Sequence, residues 1–249
     1  MAGRKKSRGT PDGSAITLVI DIGGTHVKLY TSRRTTGTKF PSGPKMTPSE
    51  FLTRFRKQTH YWRYGRVSIG YPGPVFHGRP VANPPNLGKG WTGFQFGRAL
   101  RRPVRIVNDA VLQAIGAYRG GRMLFLGFGT GLGTALIVDG RVEAMEIGHL
   151  PFRKGRSYED YVGERGLLRL GKRRWRRKVF TVIEEFRAAL EPEYVVVGGG
   201  NAALLRQLPP KTARVDNRAG FTGGLRLWET EIGGGHLDLG RPSSGSPRA

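Results

Sequence analysis

The amino-acid sequence predicts an α/β protein with two similar lobes that face a cleft. Short apolar runs alternate with glycine-rich turns and with helical segments, as in α/β proteins. Two of the turns, near residues 21 and 129, follow the same plan: a buried strand ends at glycines and a second strand begins directly after them. We therefore expect an N-terminal lobe over residues 16–106 and a C-terminal lobe over residues 107–238. A disordered basic tail (1–15) is expected before them, and a flexible tail (239–249) after them.

The N-terminal lobe is expected to begin with a hairpin. Ile16–Ile20 is a short apolar run typical of a buried strand, and His26–Tyr30 resumes as a second strand. Thr47 is expected to cap a helix, because a hydroxyl residue before Pro48 is a helix-start signal. The other predicted elements of this lobe are a strand at 67–70 and a loop over 78–97.

The C-terminal lobe is expected to repeat the alternation of strands and helices. After a strand at 104–107, at the expected lobe boundary, the predicted elements are strands at 123–126, 134–138 and 194–197, a helix at 110–118, helices between 158 and 190, and a helix opening at Gly198–Gly200.

Charge is the unusual property of the composition. Forty-two Lys and Arg stand against 18 Asp and Glu, which gives a formal net charge of +24. Such a field attracts nucleic acid, anionic membrane or polyphosphate, although a general Arg and Gly bias of the composition is an alternative. The chain has no cysteine, which excludes disulfides and thiolate zinc sites and suggests a cytoplasmic protein. No apolar run approaches the ~20 residues of a membrane helix.

The first glycine turn, Gly23–Thr25, is a candidate phosphate site. Glycines let backbone N–H groups approach an oxyanion, Thr25 adds a hydroxyl, and Asp21 could hold magnesium. An ordinary tight hairpin is the alternative. Lys28, on the strand that follows, is included among the candidate phosphate ligands.

The second glycine turn, Gly129–Gly131, opens a GxGxG pattern that continues to Gly133. A strand follows it instead of a helix, so a nicotinamide-dinucleotide fold is excluded. Thr130 and Gly131 are the candidate phosphate ligands here. Gly199 and Gly200 are a third candidate contact, because the start of a helix after a strand can face a phosphate.

Three further positions carry acid–base or hydrogen-bonding side chains. Asp109 follows Asn108 at the end of a strand, where it would serve either as the N-cap of the next helix or as a carboxylate base. Glu146 and His149 flank a turn, and no HExxH motif is present.

A basic strip runs from Arg153 to Lys178. Its densest part supplies what we call the basic track: Lys172, Arg173, Arg174, Arg176 and Arg177. The track would be a binding surface for a polyanion or merely a solvated helix face. Trp175 within it would be either a stacking platform or an apolar anchor.

The motifs, taken in order, resemble the ROK family of sugar kinases, and within it the polyphosphate glucokinase branch. The similarity covers roughly Ile16 to Trp228. The family motifs are Asp21–Thr25, Asn108–Asp109, Gly129–Gly133, Glu146–His149 and Gly198–Gly200. The features of the branch are Ile69–Pro74, Asn86–Trp91, Gly148–Lys154, Tyr158–Tyr161 and Asp216–Arg218.

The resemblance implies an actin-like fold of two ribonuclease-H-like lobes and a glucokinase activity that uses Mg²⁺. Asp109 would deprotonate the sugar 6-hydroxyl, and Asp21 would position the magnesium. The sugar-binding residues would be Asn86, Asn108, Glu146, His149 and Glu159. The donor phosphates would contact Gly23, Gly24, Thr25, Lys28, Thr130, Gly131, Gly199 and Gly200.

The sequence departs from many family members in one respect, since it lacks their cysteine-rich zinc loop, so no structural zinc is expected. The phosphoryl donor (polyphosphate, ATP or both) stays open, and so does the choice between glucose and another hexose such as mannose. A nucleic-acid-binding protein on a kinase fold, using residues 172–178 and the basic tail, is the rival hypothesis. Residues 1–15 are too short for the DNA-binding domain of the family's repressors. The family also implies a homodimer.

Overall fold

The computed structural model describes residues 16–34, 36–215, 218–233 and 236–240. For residues 231–233 and 236 it describes the backbone alone. The expected N-terminal tail, nearly all of the C-terminal one, and Asp216 and Asn217 of the last branch motif lie outside the described residues. The proposed lobe boundaries stay a prediction.

Strands supply the centre of the fold and helices cover it. The strands are β1 (Thr17–Ile22), β2 (His26–Thr31), β3 (Thr38–Pro41), β4 (Arg66–Tyr71), β5 (Val75–Phe76), β6 (Arg79–Pro80), β7 (Val104–Asn108), β8 (Arg122–Phe128), β9 (Leu132–Val138), β10 (Arg141–Met145), β11 (Pro151–Arg153), β12 (Arg156–Ser157), β13 (Tyr194–Gly198), β14 (Thr212–Arg214), β15 (Glu231–Gly233) and β16 (His236–Asp238). The helices are α1 (Pro48–Thr59), α2 (Phe96–Leu100), α3 (Asp109–Ala117), α4 (Tyr158–Val162), α5 (Glu164–Leu190) and α6 (Ala219–Arg226), with 3₁₀ turns at Ile147–His149 and Gly200–Leu204.

The first sheet has the strand order β3-β2-β1-β4-β7. The predicted hairpin of β1 and β2 is confirmed, and β1, β4 and β7 run parallel. All six residues of β1 are buried. Asp21 is paired in register with Gly70, and Tyr71 with Asn108. Because parallel strands end at the same edge of a sheet, these four residues lie at one edge. In open α/β sheets this carboxyl edge is where ligands bind.

The second sheet has the order β14-β13-β8-β9-β10-β16-β15. Strands β8 and β9 form the second predicted hairpin, with the second glycine turn between them. Strand β13 runs parallel to β8, with Gly198 paired to Gly127. This register carries Gly199 and Gly200 to the same edge as the turn.

A shared core joins the two sheets. Val19 of β1 belongs to the same buried cluster as Leu112 of α3 and Phe125 of β8. Helices α3 and α6 lie so close together that a methyl group at Gly223 would overlap the carbonyl of Leu112. The carboxyl edges of both sheets are therefore held in place by one continuous packing unit.

One predicted helix start is confirmed, and two predicted segments are corrected. The Thr47 side chain accepts from the Glu50 amide at 3.3 Å, so Thr47 is the N-cap of α1. The segment opening at Gly198–Gly200 forms a 3₁₀ turn and no α-helix, consistent with the low helix propensity of successive glycines. The predicted loop over 78–97 contains the strand β6 and the start of α2.

Helix α5 is divided at Gly171, whose backbone has φ 71° and ψ 157°. A side chain would strain this conformation, so the kink depends on the glycine. Among the helices of the described residues, none is both long enough and apolar enough to cross a membrane.

Candidate active site

Asp21 lies at the carboxyl end of β1 and is nearly buried, with 9% of its surface exposed. Lys28 of the neighbouring strand donates to its Oδ2 across 3.4 Å. Burial raises the pKa of Asp21, and the charge and hydrogen bond of Lys28 lower it. The carboxylate is thus a buried negative group with a single lysine partner on the adjacent strand.

The first glycine turn touches two other predicted residues. A methyl group at Gly24 would lie 3.2 Å from Asn86 Cβ and 3.4 Å from Thr130 Oγ1. The turn itself is held by Ser42, whose hydroxyl donates to the Gly23 carbonyl at 2.6 Å. Three chain segments that are far apart in sequence therefore converge here.

Asn108 and Asp109 have different roles at the start of α3. Asn108 is the N-cap, since its Oδ1 accepts from the amides of Ala110 at 2.8 Å and Val111 at 3.4 Å. Its Nδ2 donates to the Gly73 carbonyl at 3.2 Å. The N-cap interpretation of Asp109 is therefore wrong, because the residue before it takes that role.

The Asp109 carboxyl has a raised pKa. Burial, followed by the negative charge of Asp21, raises its pKa to about 7, and Glu146 adds a smaller increase. The Ala110 amide donates to Asp109 Oδ1 at 2.8 Å and opposes that rise. A carboxyl with such a pKa can exchange a proton near neutral pH.

Three polar residues form a second group around His149. Its Nδ1 lies 3.9 Å from Glu146 Oε2 and its Nε2 lies 3.8 Å from Glu159 Oε2. The His149 side chain is 64% exposed, whereas that of Glu159 is only 22% exposed. Burial raises the pKa of Glu146, and the charge of Glu159 adds to the increase while His149 opposes it. Two carboxylates thus lie within 4 Å of one exposed imidazole.

The second glycine turn connects the first glycine turn with the residues around His149. Glu159 Oε2 accepts from the Leu132 amide at 3.1 Å, and a methyl group at Gly131 would overlap the same oxygen. The Thr130 carbonyl accepts from the Glu164 amide at 3.2 Å, so α5 begins at this turn. Asn201 donates to the Gly129 carbonyl at 3.0 Å, which ties the segment after Gly199 and Gly200 to the turn.

The basic track lies on α5, beyond the kink. Lys172, Arg173, Arg174 and Arg177 are exposed. Arg176 is half-buried and donates to the Leu204 carbonyl at 2.6 Å. Arg176 and Arg177 line a groove of about 490 Å³ together with Arg206.

Trp175 is a packing residue. It is fully buried, its Nε1 donates to the Val162 carbonyl at 2.8 Å, and its ring meets Phe128 edge-on at 6.2 Å. Of the two interpretations of this residue, the apolar anchor is correct. The residue fixes α5 against the second sheet and offers no stacking face.

Two residues at the site escaped the sequence analysis. Arg165 lies 3.7 Å from Glu159 Oε1 and 3.6 Å from Asp160 Oδ1, although the sequence showed it only as one cation of the strip. Gly70 lies between Asp21 and Asp109, although the sequence showed it only as one residue of the Ile69–Pro74 motif. Both became visible only when β4 and α5 were placed against their neighbours.

The fold is that of the actin-like ATPases, in the form found in ROK sugar kinases. The glucomannokinase of Arthrobacter sp. strain KM, which uses inorganic polyphosphate or ATP, superposes with a TM-score of 0.76 at 23% identity, over 87% of this chain and 99% of that one. The ROK glucokinase of Streptomyces griseus, solved with glucose and AMPPNP, gives a TM-score of 0.72 at 19% identity, over 85% and 98%.

Relatives found by sequence similarity are polyphosphate glucokinases. The polyphosphate glucokinase of Mycobacterium tuberculosis is 29% identical over 225 residues, which is 80% of each chain. That of Mycobacterium leprae is 26% identical over 230 residues, 82% of this chain and 67% of its own. No family model matches the sequence. These relatives confirm the resemblance to the polyphosphate glucokinase branch of the ROK kinases.

Proposed function

We propose that the protein is a glucokinase that transfers the terminal phosphoryl group of polyphosphate or ATP to the 6-hydroxyl of glucose. The observation that carries the proposal is the convergence of Asp21 and Asp109 at one sheet edge, beside two glycine turns. Relatives named polyphosphate glucokinase and a neighbour named polyphosphate/ATP-glucomannokinase support the reaction class. The second of these names makes mannose a second candidate sugar.

In the proposed reaction, Asp109 takes the proton of the 6-hydroxyl as that oxygen attacks the terminal phosphorus. A new O–P bond forms, the bond to the bridging oxygen breaks, and the shortened polyphosphate or ADP leaves with the electron pair. Phosphoryl transfer depends mainly on alignment and charge stabilisation, and the surrounding groups are suited to supply both.

The sugar would be held by the second group of polar residues. Glu146, His149 and Glu159 would bind its ring hydroxyls, together with Asn86 near the first turn and Asn108 beside Asp109. Arg165 would hold the Glu159 carboxylate in place, since its guanidinium lies 3.7 Å away. The phosphates of the donor would contact the first turn with Lys28, the second turn, and Gly199 and Gly200.

Asp21 fits a magnesium ion by the chemistry of its side chain. Mg²⁺ is commonly held by one or two carboxylates together with substrate phosphates, so a single buried carboxylate beside a phosphate turn suffices. Among the described residues no group of three or more His, Asp or Glu could hold a metal by itself. When bound, Mg²⁺ would neutralise charge on the phosphates. A homodimer and a cytoplasmic location belong to the same proposal.

The experiment is the formation of glucose 6-phosphate by purified protein, with nucleotide-free polyphosphate and ATP supplied separately and glucose compared with mannose. We expect product with glucose, and loss of about 10² to 10⁴ in kcat/KM for Asp109→Asn, the range typical of a removed general base. Asp139→Asn, at an exposed turn, is the matched control. Full activity of Asp109→Asn would overturn the mechanism, and no product with either donor would overturn the function.

A further inference from the structure

The opposite edge of the first sheet carries a second basic surface, far from the reaction. Between Ile22 and Asn108 the sequence holds sixteen Lys and Arg and one acidic residue, Glu50. Glu50 is already paired with Arg54 at 2.5 Å. The positive charge of this region is therefore almost uncompensated, and the catalytic edge uses little of it.

Several of these cations gather with aromatic rings around one groove. We define the distal basic patch as Arg34, Arg56, His60, Tyr61, Trp62 and Arg102. Four of the six, Arg56, His60, Trp62 and Arg102, line a groove of about 350 Å³, and its lining also includes Phe55, Tyr64 and Leu100. Among the described residues no carboxylate lies within ion-pair distance of the three arginines of the patch.

The patch lies at the amino ends of the parallel strands. Gly65, just before β4, donates to the Ile16 carbonyl at the start of β1, and Val67 donates to Pro103 just before β7. The catalytic edge is at the other end of β4, a strand of six residues. At about 3.3 Å per residue, the two edges are roughly 17 Å apart. The patch therefore cannot contact the reacting groups.

The aromatic rings of the patch differ in exposure, since His60 and Tyr61 are exposed and Trp62 is half-buried. Tyr61 is 85% exposed, the highest value among the large hydrophobic side chains described, and its ring lies against that of His60 at 3.6 Å between centroids. The Arg34 guanidinium lies over Trp62 at 4.8 Å. Arg102 donates to the Tyr64 carbonyl at 3.1 Å, so its guanidinium is also fixed.

We propose that the distal basic patch binds single-stranded nucleic acid, with its arginines on the phosphates and Tyr61 stacked on a base. Single-strand sites combine a cationic groove with exposed aromatic rings on which bases stack. Polyphosphate would satisfy the charges but would leave the exposed ring of Tyr61 without a role. A duplex would keep its bases stacked inside and out of reach of that ring. This site is separate from the basic track and independent of the proposed kinase activity.

The test is fluorescence anisotropy of a labelled single-stranded 20-mer with the full-length protein, across a range of salt concentrations. Stacking on a base is worth about 1–3 kcal/mol, so Tyr61→Ala is expected to weaken binding of the 20-mer at least about five-fold and to leave binding of labelled polyphosphate unchanged. The triple variant R34Q/R56Q/R102Q is expected to weaken both binding and its salt dependence, by a slope of about 0.7 for each lost phosphate contact. Thermal unfolding of each variant verifies that it is folded.

The matched control removes the same charge elsewhere: K172Q/R173Q/R174Q on α5. The proposal requires the patch variant to lose at least ten-fold more affinity than this control. Equal losses would show that only net charge matters and would overturn it. Equal effects of Tyr61→Ala on the 20-mer and on polyphosphate, or equal affinity for a 20-base-pair duplex, would also overturn it.

Discussion

Asp21 and Asp109 face each other across Gly70. A methyl group at that glycine would lie 3.5 Å from Asp21 Oδ1 and 3.4 Å from the Cα of Asp109. The strand order places β4, which carries Gly70, between β1, which contains Asp21, and β7, which ends just before Asp109. Burial raises the pKa of Asp109, and the negative charge of Asp21 raises it further, because two neighbouring carboxylates do not ionise independently.

The first prediction concerns the pH profile. The proposed base must be ionised to accept a proton, so kcat/KM for glucose should fall as the pH drops below about 7, the pKa of Asp109. Asp21→Asn removes a neighbouring negative charge and should move this acid limb to lower pH in the residual activity. The measurement is kcat/KM between pH 5.5 and 9, with Asp139→Asn as control. An unmoved limb in Asp21→Asn would contradict the coupling of the two carboxyls.

The second prediction concerns stability. The folded pKa of Asp109 lies above its unfolded value of 3.8, so the wild-type protein loses stability as the pH rises from about 4 to about 7. Asp109→Asn should therefore be more stable than wild type at pH 8, by up to about 4 kcal/mol at about 1.4 kcal/mol per pKa unit. The gain should vanish near pH 4. Urea unfolding at both pH values measures it, and an equal gain at each would count against the raised pKa of Asp109 as the cause.

The third prediction concerns Gly70. An added methyl group would lie 2.8 Å from Leu112 Cδ2, and it would fill the space between Asp21 Oδ1, at 3.5 Å, and the Cα of Asp109, at 3.4 Å. Gly70→Ala is expected to cost about 1–3 kcal/mol of stability, as overpacking does, and to lower kcat. Gly97→Ala is the control, because its methyl group would make only an ordinary 3.6 Å contact with the Arg102 carbonyl. If both variants keep wild-type kcat, the spacing of Asp21 and Asp109 is not critical.

The fourth prediction separates the two substrates at Glu159. Glu159→Gln weakens the contacts with His149 and Arg165 but keeps an oxygen for the Leu132 amide. We expect KM for glucose to rise at least about ten-fold, the effect of one charged hydrogen bond, with KM for the donor little changed. Initial rates with each substrate varied in turn measure both constants. A larger rise for the donor would move Glu159 to the phosphate side.

The fifth prediction concerns the basic track. A K172Q/R173Q/R174Q/R177Q variant removes four exposed charges and leaves Arg176, which is bound to Leu204. Because polyanion binding depends on the number of contacts with phosphates, KM for long polyphosphate should rise at least about ten-fold at low salt, with KM for ATP within about two-fold. The R34Q/R56Q/R102Q protein is the control of similar charge. Equal effects on both donors would remove the track from the polyphosphate site.

Local sequence was sufficient wherever the signal itself was local. The glycine turns after β1 and β8, the Thr47 cap and the apolar strands follow from residues within a few positions of one another. The segment after Gly199 was predicted as a helix and forms a 3₁₀ turn, because successive glycines have a low helix propensity. The capping role of Asn108 was missed, because propensity does not decide between neighbouring residues that can both cap a helix. By contrast, Asn86 and Thr130, which meet at Gly24, lie 62 and 106 positions after it in the sequence, so no local signal links them.

By itself the sequence determined the order of the elements, the two turns and the types of side chain available for chemistry, because these depend on periodicity and on backbone freedom. Only the tertiary structure decided which side chains act together. The pairing of β1, β4 and β7 brought Asp21 next to Asp109, and the start of α5 at the second turn brought Arg165 to Glu159. The tertiary structure also placed the basic track and the distal basic patch on separate surfaces, which the net charge of +24 by itself does not distinguish. Charge counts add along a chain, whereas proximity depends on strand register and helix packing.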